Sequence, residues 1–271
     1  MTQPIGVFDS GIGGLTVVAA IRTLLPNESI FYIGDTARVP YGNKSPATVE
    51  RYSIEIGSRL AEAGCKAVVV ACNSAASVAV PRMQAELPVP VLGVIDPGAR
   101  AAIHATRNDH IGVIGTRATI KAGAYEKAIR ALRPNATVTG RACPLLVPLI
   151  EEGRLDGSIT DAVIREYLAP MLAGGIDTLV LGCTHYPLAR SAIERVAGPG
   201  VTLVDSAENT ARALQQLLIA EGVSAASKAV GTLRVALTDM PDHFLRVAEE
   251  ALQLEIKKVE LCDVASAPVV S

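Results

Sequence analysis

The chain has 271 residues, 49% of them hydrophobic and 19% charged, with a net charge of −2. That length can bury a substantial core in one large or two modest domains. The near-neutral charge lacks the basic footprint of nucleic-acid binders, so neither DNA nor RNA is expected as a partner. No apolar run reaches the roughly 18 residues needed to span a bilayer, and the opening Met1-Thr2-Gln3-Pro4 carries no basic leader. No membrane association is expected, and the expected location is the cytoplasm. Cysteines at 65, 72, 143, 183 and 262 form an odd set without tight spacing, which points to reduced thiols rather than a disulfide framework.

In chain order, short β-branched apolar runs predict strands at residues 5–8, 30–33, 67–71, 91–95, 111–114, 178–181, 201–204 and 233–237. Helical patterns separate them, which gives an α/β fold with mainly parallel sheet. Ser45-Pro46 reads as an N-cap followed by Pro in the first turn. Val49, Tyr52, Ile56 and Leu60 then share one face, Glu55 and Arg59 have ion-pair spacing, and Gly64 ends the helix. A second helix runs from about Thr160 to Ala173 before Gly174-Gly175. A third follows Asp205-Ser206 through Thr210, Leu214 and Leu218.

The chain looks duplicated. Residues 67–73, Ala-Val-Val-Val-Ala-Cys-Asn, lie over residues 178–184, Thr-Leu-Val-Leu-Gly-Cys-Thr, without a gap. Ile5-Gly6-Val7-Phe8 likewise echoes Ile111-Gly112-Val113-Ile114. The expected organisation is two pseudo-symmetric domains with a cleft between them: residues 1–95 plus 208–271, and residues 96–207. The final strand and helix, after about residue 230, have no counterpart in the second half and are expected to return to the first domain. Each half contributes one cysteine, Cys72 and Cys183, just beyond the carboxyl end of a strand, where ligands of parallel α/β sheets bind. Two opposed, equivalent thiols suit removal of a proton from one face of a carbon and its return to the other. A helix starting at each cysteine would lower the thiol pKa from its free value of roughly 8.5.

Other readings compete. Buried structural cysteines are one, and Cys65 and Cys262 are assigned to it. Zinc ligation by Cys72, Cys183 and His185 lacks paired-ligand spacing. A hydrolase with His185 activating one cysteine leaves the other without a role. The glycine-rich turn Asp9-Ser10-Gly11-Ile12-Gly13-Gly14 suggests a phosphate site, yet Thr16 stands where the third glycine of a dinucleotide motif belongs. A tight turn exposing Asp9 and Ser10 beside the cysteines fits better, while Asp9 as a plain helix cap stays open. In Arg38-Val39-Pro40-Tyr41-Gly42-Asn43, backbone N–H groups around Tyr41 and Gly42 could hold a carboxylate. Thr116, Thr119 and Glu151-Glu152-Gly153 near Cys143-Pro144 read as plain turns. His104, His110 and His243 are assigned no chemistry.

Three long segments carry a resemblance: Gly6-Val7-Phe8-Asp9-Ser10-Gly11-Ile12-Gly13-Gly14-Leu15-Thr16, Gly34-Asp35-Thr36-Ala37-Arg38-Val39-Pro40-Tyr41-Gly42, and Gly182-Cys183-Thr184-His185-Tyr186-Pro187-Leu188. Together they resemble the glutamate racemases of bacterial cell-wall synthesis, over essentially the whole chain. The resemblance implies a cofactor-independent, metal-free isomerase of glutamate that supplies peptidoglycan synthesis, and a homodimer. It implies catalytic roles for Cys72, Cys183, Asp9 and His185. Substrate binding falls by the same resemblance on Asp9, Ser10, Pro40, Tyr41, Gly42, Asn73, Ser74, Thr184 and His185. Cys72 would deprotonate the D-isomer and Cys183 the L-isomer, with Asp9 and His185 assisting. Where the family usually has Thr, this chain has Ser74. No arginine occurs in these motifs, so anion binding is expected to rest on hydroxyls, amides and helix N-termini. A relative acting on aspartate, and a binding protein that closes on an amino acid without reacting, are the alternatives.

Overall fold

The structure, a computed structural model, describes residues 3–226, 229–240, 254, 256 and 258–264. The first half runs β1 (Ile5–Asp9), α1 (Leu15–Leu24), β2 (Ile30–Gly34), α2 (Pro46–Glu62), β3 (Ala67–Val70), α3 (Asn73–Glu86), β4 (Val91–Gly93) and α4 (Ile95–Ala105). The second runs β5 (His110–Gly115), α5 (Arg117–Ala122), α6 (Ala124–Leu132), β6 (Thr137–Ala142), α7 (Leu146–Glu151), α8 (Ser158–Ala173), β7 (Thr178–Gly182), α9 (Arg190–Ala197), β8 (Thr202–Asp205) and α10 (Ser206–Ala220). Strands β9 (Leu233–Leu237) and β10 (Val259–Leu261) close the described chain.

All strand pairs are parallel and form two sheets, ordered β10-β9-β2-β1-β3-β4 and β6-β5-β7-β8. The order β2-β1-β3-β4 in one sheet is repeated as β6-β5-β7-β8 in the other, so the duplication seen in sequence is a duplication of topology. Strand β9 pairs with the free edge of β2, which returns the chain to the first sheet after residue 230. The helix expected beyond it, and His243, lie outside the described residues.

The central strands are buried along their whole length, every residue of β1, β2, β3 and β7 included. Covered on both faces, they read as continuous apolar runs rather than alternating ones. Strand β6, Thr-Val-Thr-Gly-Arg-Ala, is an edge strand with mostly exposed residues, and so carries no apolar signal by which the sequence could reveal it. One large core joins the sheets, running from Ile5, Val7 and Val69 to Ile111, Val113 and Val180. Helices α4 and α10 contact each other and elements of both halves.

Helix α2 begins as its sequence dictates. The Ser45 hydroxyl accepts the Thr48 N–H at 3.3 Å, Pro46 occupies the first turn, and Gly64 adopts a left-handed φ of 78° after the end. The expected Glu55–Arg59 pair does not form. Arg38 takes Glu55 instead, and Arg59 lies 3.8 Å from Glu62. Arg38 reaches that position because its Nε donates to both Asp35 oxygens, at 2.9 and 2.7 Å, and its guanidinium stacks 4.0 Å over the Tyr52 ring. Among the described residues no helix is long and apolar enough to cross a membrane.

Candidate active site

Equivalent strand ends of the two sheets converge on one cavity of about 280 Å³. Strand β1 leads to Ser10, β3 to Cys72, β5 to Thr116 and β7 to Cys183, and all four residues line it. Pro40, Tyr41, Gly42, Asn73, Ser74, Thr184 and His185 line it as well. Of the catalytic and substrate-binding residues expected from the sequence, only Asp9 is absent from the wall; it is fully buried. All five cysteines are free thiols.

On the first-half side, Cys72 is the N-cap residue of α3, with extended backbone and no side-chain cap bond. Its thiol donates to the Ser10 hydroxyl at 3.5 Å. The sequence reading expected the helix N-terminus to lower this thiol, but the outcome is the reverse. Burial, reinforced by the charge of Asp9, pushes Cys72 up to about 12 against the pull of the Ser10 hydroxyl and the N–H groups of Ala75 and Ser10. Cys72 is therefore a thiol at neutral pH.

The second-half side is built differently. Past Cys183 the chain enters a short 3-10 turn, Tyr186–Ala189, and α9 starts only at Arg190. No α-helix N-terminus opens at that sulfur, contrary to expectation. Its neighbour is His185, whose Nδ1 lies 3.9 Å from Cys183 Sγ and whose Nε2 lies 3.1 Å from Glu151 Oε1 at the end of α7. Burial disfavours the imidazolium, but Cys183 and Glu151 together outweigh it and raise His185 to about 10. His185 is thus a cation at neutral pH, and its pairing with Glu151 corrects the reading of Glu151 as part of a plain turn.

Asp9 joins the two sides. It accepts the Gly11 N–H at 2.9 Å and the Thr184 hydroxyl at 3.2 Å. Burial raises its carboxyl pKa, opposed by His185, the N–H groups of Gly11 and Gly14, and Thr184. It caps no helix: α1 has Gly14 at its N-cap and no side-chain cap bond. The glycines of this turn serve close approach. A Cβ on Gly13 would lie 2.4 Å from Thr184 Oγ1 and 2.5 Å from His185 Nδ1, and one on Gly14 would lie 2.4 Å from Asp9 Cβ. Thr184 and His185 therefore fill the space over the turn that a dinucleotide phosphate would need.

The Tyr41–Asn43 segment is a 3-10 turn whose first N–H groups, on Tyr41 and Gly42, have no acceptor within the turn. The Tyr41 hydroxyl donates to buried Asp35, which also accepts from Arg38 and, at 3.0 Å, from Thr238. Gly42 presses on the second half, since a Cβ there would lie 2.8 Å from Thr116 Cβ. Ser74, Thr116 and Thr119 close a triangle of hydroxyls at 2.8, 3.3 and 3.0 Å that bridges α3 and α5. Reading Thr116 and Thr119 as a plain turn was wrong, and the duplication contained the correction: Thr116 follows β5 as Ser10 follows β1. Tyr125 donates to Asn73 Oδ1 at 2.7 Å, while Asn73 Nδ2 is buried and has no partner among the described residues.

Cys143 and Arg117 are among the further wall residues that escaped sequence reasoning. Cys143 follows the unrecognised strand β6 and is fully buried, which pushes its thiol up to about 12. Arg117, at the start of α5, also lines the cavity, so the site does not lack an arginine. The rings of His104 and His110 lie against the backbone oxygens of Arg100 and Gly174, and neither residue lines the cavity. Among the described residues no group of three or more His, Cys, Asp or Glu side chains is gathered to hold a metal ion.

Comparison with known proteins agrees with this geometry. Residues 14–214 match the Asp/Glu/hydantoin racemase family. A glutamate racemase from Geobacter metallireducens is 49% identical over 250 residues, 92% of this chain and 93% of that protein. The crystal structure of a glutamate racemase isoform from Bacillus anthracis superposes with a TM-score of 0.92 at 42% identity, covering 96% and 97% of the two chains. That of the Francisella tularensis glutamate racemase in complex with D-glutamate gives a TM-score of 0.91 at 37% identity, covering 98% and 99%. The chain belongs to the Asp/Glu/hydantoin racemase family and, within it, to the glutamate racemases.

Proposed function

We propose that this protein interconverts L- and D-glutamate by a cofactor-independent two-base reaction in which Cys72 and Cys183 work from opposite faces of the α-carbon. One observation carries the reading: two thiols at equivalent strand ends of a duplicated fold line a single cavity. L-Glutamate meets Cys183 as the base and Cys72 as the thiol. Cys183 takes the α-proton, and Cys72 returns one to the other face. In the next turnover the roles are exchanged, and D-glutamate is deprotonated by Cys72. His185 offers Cys183 a positive charge 3.9 Å away, and Asp9 sets the charge around Cys72.

The α-proton is very weakly acidic, so the site must stabilise the carbanion with donors held in a water-poor cleft. Asn73 Nδ2, buried with no partner among the described residues, is a donor available to a substrate acceptor. The hydroxyls of Ser10, Ser74 and Thr184 and the N–H groups of Tyr41 and Gly42 supply further contacts to the two substrate carboxylates, with Pro40 shaping the wall. We assign the described parts of residues 1–95 and 208–271 to one lobe beside the cleft and residues 96–207 to the other. We place the enzyme in the cytoplasm as a homodimer whose D-glutamate enters peptidoglycan synthesis and so maintains cell shape.

Circular dichroism tests the reading. Reduced protein with no added cofactor should erase the signal of L-glutamate and leave that of L-aspartate. Loss of the aspartate signal alone would reassign the substrate, and retention of both would favour an amino-acid binder.

A further inference from the structure

The turn that carries Cys183 contains a built-in defect. In the sequence Thr184-His185-Tyr186-Pro187, the donor that would close a 3-10 turn onto the Thr184 carbonyl is the N–H of residue 187, which proline lacks. The next N–H, that of Leu188, is already given to His185 O at 3.0 Å. A buried carbonyl left in that state costs free energy and loosens its peptide. Thr16, in α1 of the other half, supplies the missing donor. Its side-chain hydroxyl lies 3.3 Å from Thr184 O and 2.8 Å from Gly13 O, and among the described residues no other donor reaches the Thr184 carbonyl. Gly13 O already receives the Thr16 N–H at 3.0 Å, which leaves the hydroxyl proton available to be shared with Thr184. The contact lies directly beside the points where Gly13 meets Thr184 Oγ1 and His185 Nδ1.

We infer that Thr16 is a positioning residue for the reaction: its hydroxyl replaces the donor missing at Pro187 and so fixes the Cys183-Thr184-His185 turn relative to the first half. The inference rests on the two-cysteine reading above and deepens it, because Thr16 holds the Cys183 turn directly and reaches Cys72 only at one remove, through Thr184 and Asp9. Thr16, Pro187 and Leu188 also line a second cavity of about 620 Å³, which shares no lining residue with the site cavity. A small residue at position 16 would let water enter from there and replace the hydroxyl. Valine fills the same volume without a donor and is the informative substitution.

The test uses the full-length protein, wild type, Thr16→Val and Thr16→Ser, with protio and α-deuterated L- and D-glutamate, and records kcat/KM in both directions. In Thr16→Val, kcat/KM should fall roughly three- to tenfold. The fall should be equal in both directions, since enantiomers have equal free energy in water. The isotope effect should rise for L-glutamate, whose proton Cys183 removes, and fall for D-glutamate, whose proton Cys72 removes. Thr16→Ser keeps the donor and should retain activity within about twofold, with wild-type isotope effects. Isotope effects are ratios and do not change with the fraction of protein folded, so a merely structural role would leave both at their wild-type values. That result, or a Thr16→Ser variant as impaired as Thr16→Val, would overturn the inference. Failure of the wild-type protein to racemise glutamate would instead overturn the reading beneath it.

Discussion

Thr184 reaches across the duplicated fold to donate its hydroxyl to Asp9, 3.2 Å away, so the residue after Cys183 holds the carboxylate whose charge bears on Cys72. The two halves of the site are coupled through this contact while their sulfurs sit in unlike surroundings. Cys72 is held as a thiol by burial and Asp9, whereas Cys183 faces an imidazolium.

Asp9→Asn keeps an acceptor for Thr184 and removes the charge. The Cys72 thiol should then fall below its present value of about 12, so its alkylation by iodoacetamide, followed by peptide mapping, should reach half-maximal rate at a lower pH. Racemisation should slow by about 10²-fold, in the range for loss of a residue that assists proton transfer. An unmoved alkylation midpoint would remove Asp9 from the electrostatics of Cys72.

His185→Gln should lower kcat by about 10²- to 10⁴-fold, and its effect on stability has a defined pH window. Because the folded pKa, about 10, is raised above the ordinary histidine value, the stabilisation is complete below about pH 6.5. It is lost as pH rises and is gone once pH passes about 10. Urea titrations of wild type and His185→Gln should therefore give a stability difference that is flat in mild acid and shrinks through the alkaline range. A difference that grows with pH would contradict the imidazolium assignment.

Gly13→Ala forces a methyl within 2.4 Å of Thr184 Oγ1 and 2.5 Å of His185 Nδ1. These are side-chain atoms that can move, so the damage should fall on activity, at least 10²-fold as expected for misplaced catalytic groups. Gly64→Ala is the reverse case: its φ is 78° with nothing within 4 Å, so it should cost about 1–2 kcal/mol in stability and leave kcat alone. Thermal melting and initial rates on both variants check the contrast.

Ser74→Ala opens the hydroxyl triangle with Thr116 and Thr119 and should raise KM roughly three- to tenfold. Ser74→Thr restores the methyl that the family usually carries. It should lower KM by no more than about fourfold, the worth of one buried methyl. A higher KM in Ser74→Thr would show that the pocket is packed for serine.

The strands were legible because they are buried on both faces, and the duplication was legible because the cysteine-bearing strands β3 and β7 are its best-preserved part. What escaped notice lay where burial or pairing is decided at a distance. Strand β6 is an exposed edge without apolar pattern, and with it went the placement of Cys143. Glu151 stands at the end of a six-residue helix, and only the fold brings it to His185. The direction of the Cys72 shift was misjudged because a helix N-terminus is visible in sequence, whereas full burial beside the buried carboxylate of Asp9 is not.

The central claim is that two bases act on opposite faces. It is tested most directly by incubating reduced, cofactor-free protein with L-glutamate in heavy water and following α-deuterium by NMR at early times. Deuterium should appear in D-glutamate before it appears in the recovered L-glutamate, because the base that removes the L-proton is not the acid that delivers the solvent-derived one. Deuterium entering both enantiomers equally from the first turnovers would contradict the account and require a single base exposed to both faces.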